Sequence, residues 1–120
     1  MPNEAEAITI RFADDFEANL YALAKRYRSI RNDVQPVIEQ IQAGNFIGDR
    51  IPGMGEDYII LKVRVKNSNI QKGKSAGYRM IYQVESPSIV ILLAIYSKSD
   101  RTDISLNEIR SIIAEFDESQ

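Results

Sequence analysis

The sequence predicts an α+β fold: a small, mostly antiparallel sheet packed against helices on one face, in the order β-α-α-β-β-β-α. Three observations predict it. Residues 58–66 alternate, with Ile59, Leu61, Val63 and Val65 on one side and Lys62, Arg64 and Lys66 on the other, the period-two pattern of a half-buried strand. Phe16, Leu20, Leu23 and Tyr27 recur at helical spacing, as do Ile109, Ile112, Ile113 and Phe116 near the end of the chain. Residues 89–96 form an unbroken apolar run of eight, long enough for a central strand buried on both faces and too short to span a bilayer.

The elements follow in order. Residues 6–12 alternate, with Ile8, Ile10 and Phe12 on one face, and predict the first strand. Asp14 then opens a helix, with Glu17 three residues on to complete a capping box. A break around 31–33 precedes a second helix reaching Ala43, with Pro36 in its first turn and Gly44 as its stop. The short link predicts an antiparallel helical hairpin. Residues 45–57 read as a loop through Gly48, Pro52, Gly53 and Gly55. Two strands follow, at 58–66 and 78–84. Residues 85–88 turn the chain into the strand at 89–97. Ser105 and Glu108 form a second capping box, with Ile104 and Ile109 as its hydrophobic staple, and open the last helix.

Composition narrows the chemistry. The 120 residues suit one domain. Cysteine is absent, so there is no disulfide framework and no thiolate metal site. Histidine is absent too, which removes the commonest general base and every Ser-His or Cys-His nucleophile pair. Acid–base work therefore falls to carboxylates, Lys, Tyr or Arg. The start, MPNEAEAITIRF, lacks the basic and apolar regions of a secretory signal, so the expected location is cytoplasmic.

Charge is unevenly spread. The formal net charge is -2, yet residues 58–84 carry Lys62, Arg64, Lys66, Lys72, Lys74 and Arg79 and no acid. Residues 1–57 hold six Lys or Arg against ten Asp or Glu. Strand pairing within 58–84 predicts several cations on one open sheet face, for which phosphate is the natural partner. The simpler reading is a solvated face, the commonest fate of surface charge. Gly73-Lys74-Ser75 is not a Walker A loop, because Ser68 stands where the motif needs glycine and a strand follows in place of a helix. Tyr78 and Tyr82 read as core, and Ser105 as a helix cap rather than a nucleophile.

The segments GKSAGYRMIYQV (73–84) and AIYSKSDRTDIS (94–105), in this element order, resemble the RelE/ParE superfamily of type II toxins, and within it the RelE/HigB branch. The resemblance spans nearly the whole chain. It implies a RelE-like fold and a metal-independent endoribonuclease that cuts mRNA, typically on the ribosome, inhibits translation and is neutralised by a cognate antitoxin. No cofactor or membrane partner is implied. Arg79 matches the phosphate-binding arginine of that branch; Lys62, Arg64 and Lys66 fall on the strand supplying further cations, and Lys98 at the end of the last strand.

The chemistry so implied is attack of a 2′-OH on the adjacent phosphorus. Arg79 and Arg64 are expected to hold the phosphate, since a guanidinium forks onto two oxygens. Lys62 or Lys66 is expected to act as base, its pKa depressed by neighbouring cations. Lys98 or Tyr96 is expected to act as acid, and Lys72 and Lys74 to track the RNA backbone. Two other readings stay open: a ParE-like gyrase inhibitor sharing the fold, and a catalytically idle module that binds its antitoxin.

Overall fold

A computed structural model describes residues 7–70 and 76–120. These residues form a small α+β fold with a five-stranded mixed sheet and three helices. The elements are β1 (Thr9–Phe12), α1 (Asp14–Arg26), α2 (Ile30–Gln42), β2 (Asp49–Arg50), β3 (Ile59–Val65), β4 (Tyr78–Ser86), β5 (Ile89–Ser97) and α3 (Leu106–Glu118). The strand order is β1-β5-β4-β3-β2. Strands β3, β4 and β5 form the expected antiparallel meander. Strand β1 adds to β5 in parallel, Thr9 opposite Ile89 and Phe12 opposite Leu92, so the sheet is mixed. Strand β2, two residues within the expected 45–57 loop, pairs with Lys62 and Leu61.

Helices cover both faces, which corrects the one-sided expectation. Phe16 and Leu23 of α1 and Ile30, Val34 and Ile41 of α2 pack with Leu61, Val63, Val65, Tyr78, Met80, Tyr82, Val90, Leu92 and Ile95. The opposite cluster joins Ile109, Ile112, Ile113 and Phe116 of α3 to Ile60, Ile81, Ile91 and Leu93. A fully buried side chain of this size contributes about 1.5–3 kcal/mol, so α3 has ample reason to lie on the sheet. The face carrying the cations is therefore shared with a helix rather than open.

The helix termini follow the local signals only in part. Ala13, not Asp14, caps α1, without a side-chain cap bond; Asp14, Asp15 and Glu17 instead lie within the first turn, where their charges interact favourably with the helix dipole. Helix α2 starts at Ile30, earlier than the expected break, so Pro36 falls inside it. Long-range bonds explain the early start: Asn69 Oδ1 accepts from Ser29 N at 2.9 Å, and Asp33 Oδ2 accepts from Ser68 N and Oγ at 2.9 and 3.0 Å. Gly44 ends α2 at φ 94°, as its position predicts. The second capping box forms by half: Ser105 Oγ accepts from Glu108 N at 3.1 Å, but the Glu108 carboxylate turns to Arg101. Both staple residues, Ile104 and Ile109, are buried in the α3 cluster.

Tyr78 and Tyr82 are fully buried, as core residues should be. Burial pushes the Tyr82 hydroxyl up to about 12, and it donates to Ile47 O. No helix among the described residues is long and apolar enough to cross a membrane.

Candidate functional site: a cationic row at the end of the sheet

Helix α3 covers only part of its face. Beyond its N-terminus, the even-numbered residues of β3 continue as Lys62 and Arg64 on the same side as Ile60. Arg64 lies directly opposite Arg79 of β4, and Arg79 directly opposite Tyr96 of β5. Three strands thus contribute one row, Arg64–Arg79–Tyr96. Adjacent cross-strand side chains sit about 5 Å apart at Cβ, close enough for two guanidinium groups to meet one anion.

Tyr96 reaches this face through a β-bulge. Ile81 pairs with Ala94 but Tyr82 with Leu92, so Leu93 is an extra residue. Below it Ile91 faces α3; above it Ala94 and Tyr96 do. Asn19 of α1 supports the stretch above the bulge, its Oδ1 accepting from Ile95 N at 3.2 Å. Gly77 keeps the start of β4 close to β3: a Cβ there would lie 2.2 Å from Val65 O. Its own carbonyl accepts from Lys98 N at 2.9 Å.

The row is not uniformly exposed. Arg64 and Lys66 are exposed and Lys62 and Lys98 half-buried, whereas Arg79 is only 6% exposed and Tyr96 7%. Arg79 donates from Nη1 to Tyr78 O at 3.1 Å. Lys62, one of the two expected bases, and Lys98, one of the two expected acids, are both held by the loop that leads into α3. Lys62 Nζ is 3.3 Å from Asp103 Oδ1, and Lys98 Nζ donates to Thr102 O at 3.3 Å. Lys66 lies past the end of β3, off the paired row. Lys72 and Lys74 lie outside the described residues.

Sequence reasoning gave no role to Asp103 or Arg101. Arg101 forks onto Glu108, with Nη2 2.8 Å from Oε1 and Nη1 3.1 Å from Oε2, and its guanidinium stands 5.4 Å from the Tyr96 ring centroid. Both residues sit in the run DRTDIS, but in a loop no periodicity marks a partner. Arg101 holds the Glu108 carboxyl below its ordinary range. Asp103 is held low first by the Ile104 N–H and then by Lys62. The Tyr96 hydroxyl is buried without a well-formed hydrogen bond among the described residues. Burial first, and then the neighbouring Asp103 charge, push its pKa up; Asp103 acts on it through space rather than in good hydrogen-bonding geometry.

Chemically the row, with Lys62 and Lys98 beside it, offers two guanidinium groups, two ammonium groups and a protonated phenol. That set suits an anion whose charge grows during reaction, such as a phosphodiester. Among the described residues no group of three or more His, Cys, Asp or Glu stands together as a metal site. No family model matches the chain, and no curated protein matches it.

Proposed function

We propose that the chain is a metal-independent endoribonuclease of the RelE/HigB toxin type, cutting mRNA and neutralised by a cognate antitoxin. The observation that carries this reading is the cross-strand row Arg64–Arg79–Tyr96. In the proposed reaction a 2′-OH attacks the adjacent phosphorus and the bond to the 5′ oxygen breaks. The products are a 2′,3′-cyclic phosphate and a 5′-OH. Arg64 and Arg79 neutralise the phosphorane, where charge stabilisation contributes most. Lys66, or Lys62 as a neutral amine, takes the 2′-OH proton. Tyr96, adjacent to Arg79, is the better-positioned acid for the leaving oxygen; Lys98 is the other candidate. The RelE-like arrangement, the ribosome as the place of cutting, and the cytoplasmic location belong to the same proposal.

A second reading, an idle module that binds its antitoxin, draws on two observations: Arg79 is buried, and Lys62 is already engaged by Asp103. Tightly controlled expression with mapping of mRNA 5′ ends separates the readings. Codon-phased cuts that disappear in Arg64→Ala support the nuclease. Growth arrest with intact mRNA and an SOS response overturns it in favour of a gyrase inhibitor. Absence of arrest favours the idle module.

A further inference from the structure

Asp103 occupies a position in the cationic row that an anionic ligand would contest. Its Oδ1 accepts from Lys62 Nζ at 3.3 Å and from Ile104 N at 2.8 Å. The loop bearing it is tied down on either side of the carboxylate. Lys98 Nζ bonds Thr102 O, Arg101 Nε donates to Asp103 O at 2.9 Å, and the Arg101 guanidinium is clamped by Glu108. Lys98 adds its charge to that of Lys62 at the Asp103 carboxylate. The pair is accessible, with side chains 32% and 63% exposed for Lys62 and Asp103. It closes over the same face, two residues along β3 from Arg64.

We infer that Asp103 is an intramolecular competitor for the RNA phosphate, occupying Lys62 in the free protein and giving way when RNA binds. This rests on the reading of the row as an RNA site. An ammonium has three donors, so geometry alone would let Lys62 serve a carboxylate and a phosphodiester together. Charge opposes it, because the two anions repel at that separation. The carboxylate therefore leaves Lys62 as the phosphate arrives, while its bond to the Ile104 N–H keeps it on the loop. A solvent-exposed pair opens cheaply, so the device tempers affinity rather than shutting the site.

The test is a two-by-two cycle of Asp103→Asn and Lys62→Met, with unfolding midpoints checked for each protein. The probe is a short single-stranded RNA carrying 2′-O-methyl groups, which binds but is not cut by 2′-OH attack. Asn keeps an oxygen to accept from Ile104 N and removes the charge. In the Lys62 background Asp103→Asn is expected to tighten binding about two- to fivefold, the scale of an exposed ion pair. In the Lys62→Met background it is expected to change nothing, because the pair no longer exists. Equal tightening in both backgrounds overturns the inference, since only long-range charge is then at work. So does the absence of tightening in a protein whose RNA binding depends on Arg64. RNA binding that is undetectable in all four proteins and in Arg64→Ala overturns the nuclease reading and the inference with it.

Discussion

Arg79 and Tyr96 are direct partners across the β4–β5 ladder, and they share a face only because Leu93 bulges out of β5. Strict alternation from Ile91 would have sent Ile95 and Ser97 to that face and buried Tyr96 beneath α1. The bulge therefore decides which side chain stands beside the arginine pair.

Arg64 is the exposed half of the arginine pair, so its removal separates chemistry from folding. Arg64→Ala is expected to change unfolding free energy by no more than about 0.5 kcal/mol. Cleavage is expected to fall on the order of 100-fold or more, the usual effect of losing a group aimed at transition-state charge. Single-turnover cleavage alongside urea unfolding measures both; intact cleavage would remove Arg64 from the site.

Tyr96→Phe deletes a buried hydroxyl that has no well-formed hydrogen bond among the described residues. Stability is expected to stay within about 1 kcal/mol of the parent or to rise, because no good bond is lost. If the phenol is the acid, cleavage drops by about 100-fold, at the low end for general acid catalysis. A drop in cleavage that instead follows a drop in stability would assign Tyr96 to packing alone.

Gly77→Ala forces a Cβ to within 2.2 Å of the Val65 carbonyl, a backbone atom with no room to rotate away. The expected cost is about 1–3 kcal/mol, in line with overpacking elsewhere. The strain falls where β4 leaves β3, just before Arg79. Hydrogen exchange at Lys98, whose N–H donates to Gly77 O, is expected to speed up with it. A variant as stable as the parent would mean that the two strands separate more easily than this packing implies.

Acid is expected to weaken the loop over the row. The Glu108 pKa is lowered in the folded protein from its ordinary 4.5, chiefly by the hydrogen bond from Arg101. A depressed carboxyl stabilises the fold above its unfolded-state value, and that contribution is lost as pH falls through the folded-state value. Glu108→Gln should therefore be less stable than the parent at neutral pH, by about 0.2–1 kcal/mol for so exposed a pair. The difference should vanish as pH drops below 4.5. Asp103 shifts in the same direction, so its contribution is lost further down, below its own ordinary value of 3.8. Urea midpoints against pH measure it, and a difference that persists in acid would point to packing instead of charge.

Much of the fold was legible because local patterns and burial agreed. The alternation of residues 58–66 became β3, with Leu61, Val63 and Val65 buried as expected but Ile59 exposed and Ile60 buried on the other face, and the helical stripes of Phe16, Leu23, Ile109 and Phe116 became the buried faces of α1 and α3. The start of α2 is not legible locally because its anchors, Asn69 on Ser29 and Ser68 on Asp33, come from chain far apart in sequence. Asp14 looked like a cap, but the chain turns one residue earlier, where Ala13 N donates to Leu92 O at 2.9 Å and ties the helix start to β5.

For the site, the sequence alone determined the supply of chemistry: cations concentrated in 58–84, no histidine, no cysteine, and an arginine early in a strand. It also determined that Lys62 and Arg64 leave β3 on one side, since alternation is a local property of an extended chain. Only the tertiary structure decided which partners they meet. Strand register set Arg64 against Arg79, and the Leu93 bulge brought Tyr96 into line. The path of the loop into α3 placed Asp103 on Lys62. An apolar run such as Ile89–Ser97 carries no alternation from which to read its faces, and a loop carries no period at all. Both are oriented by what packs against them.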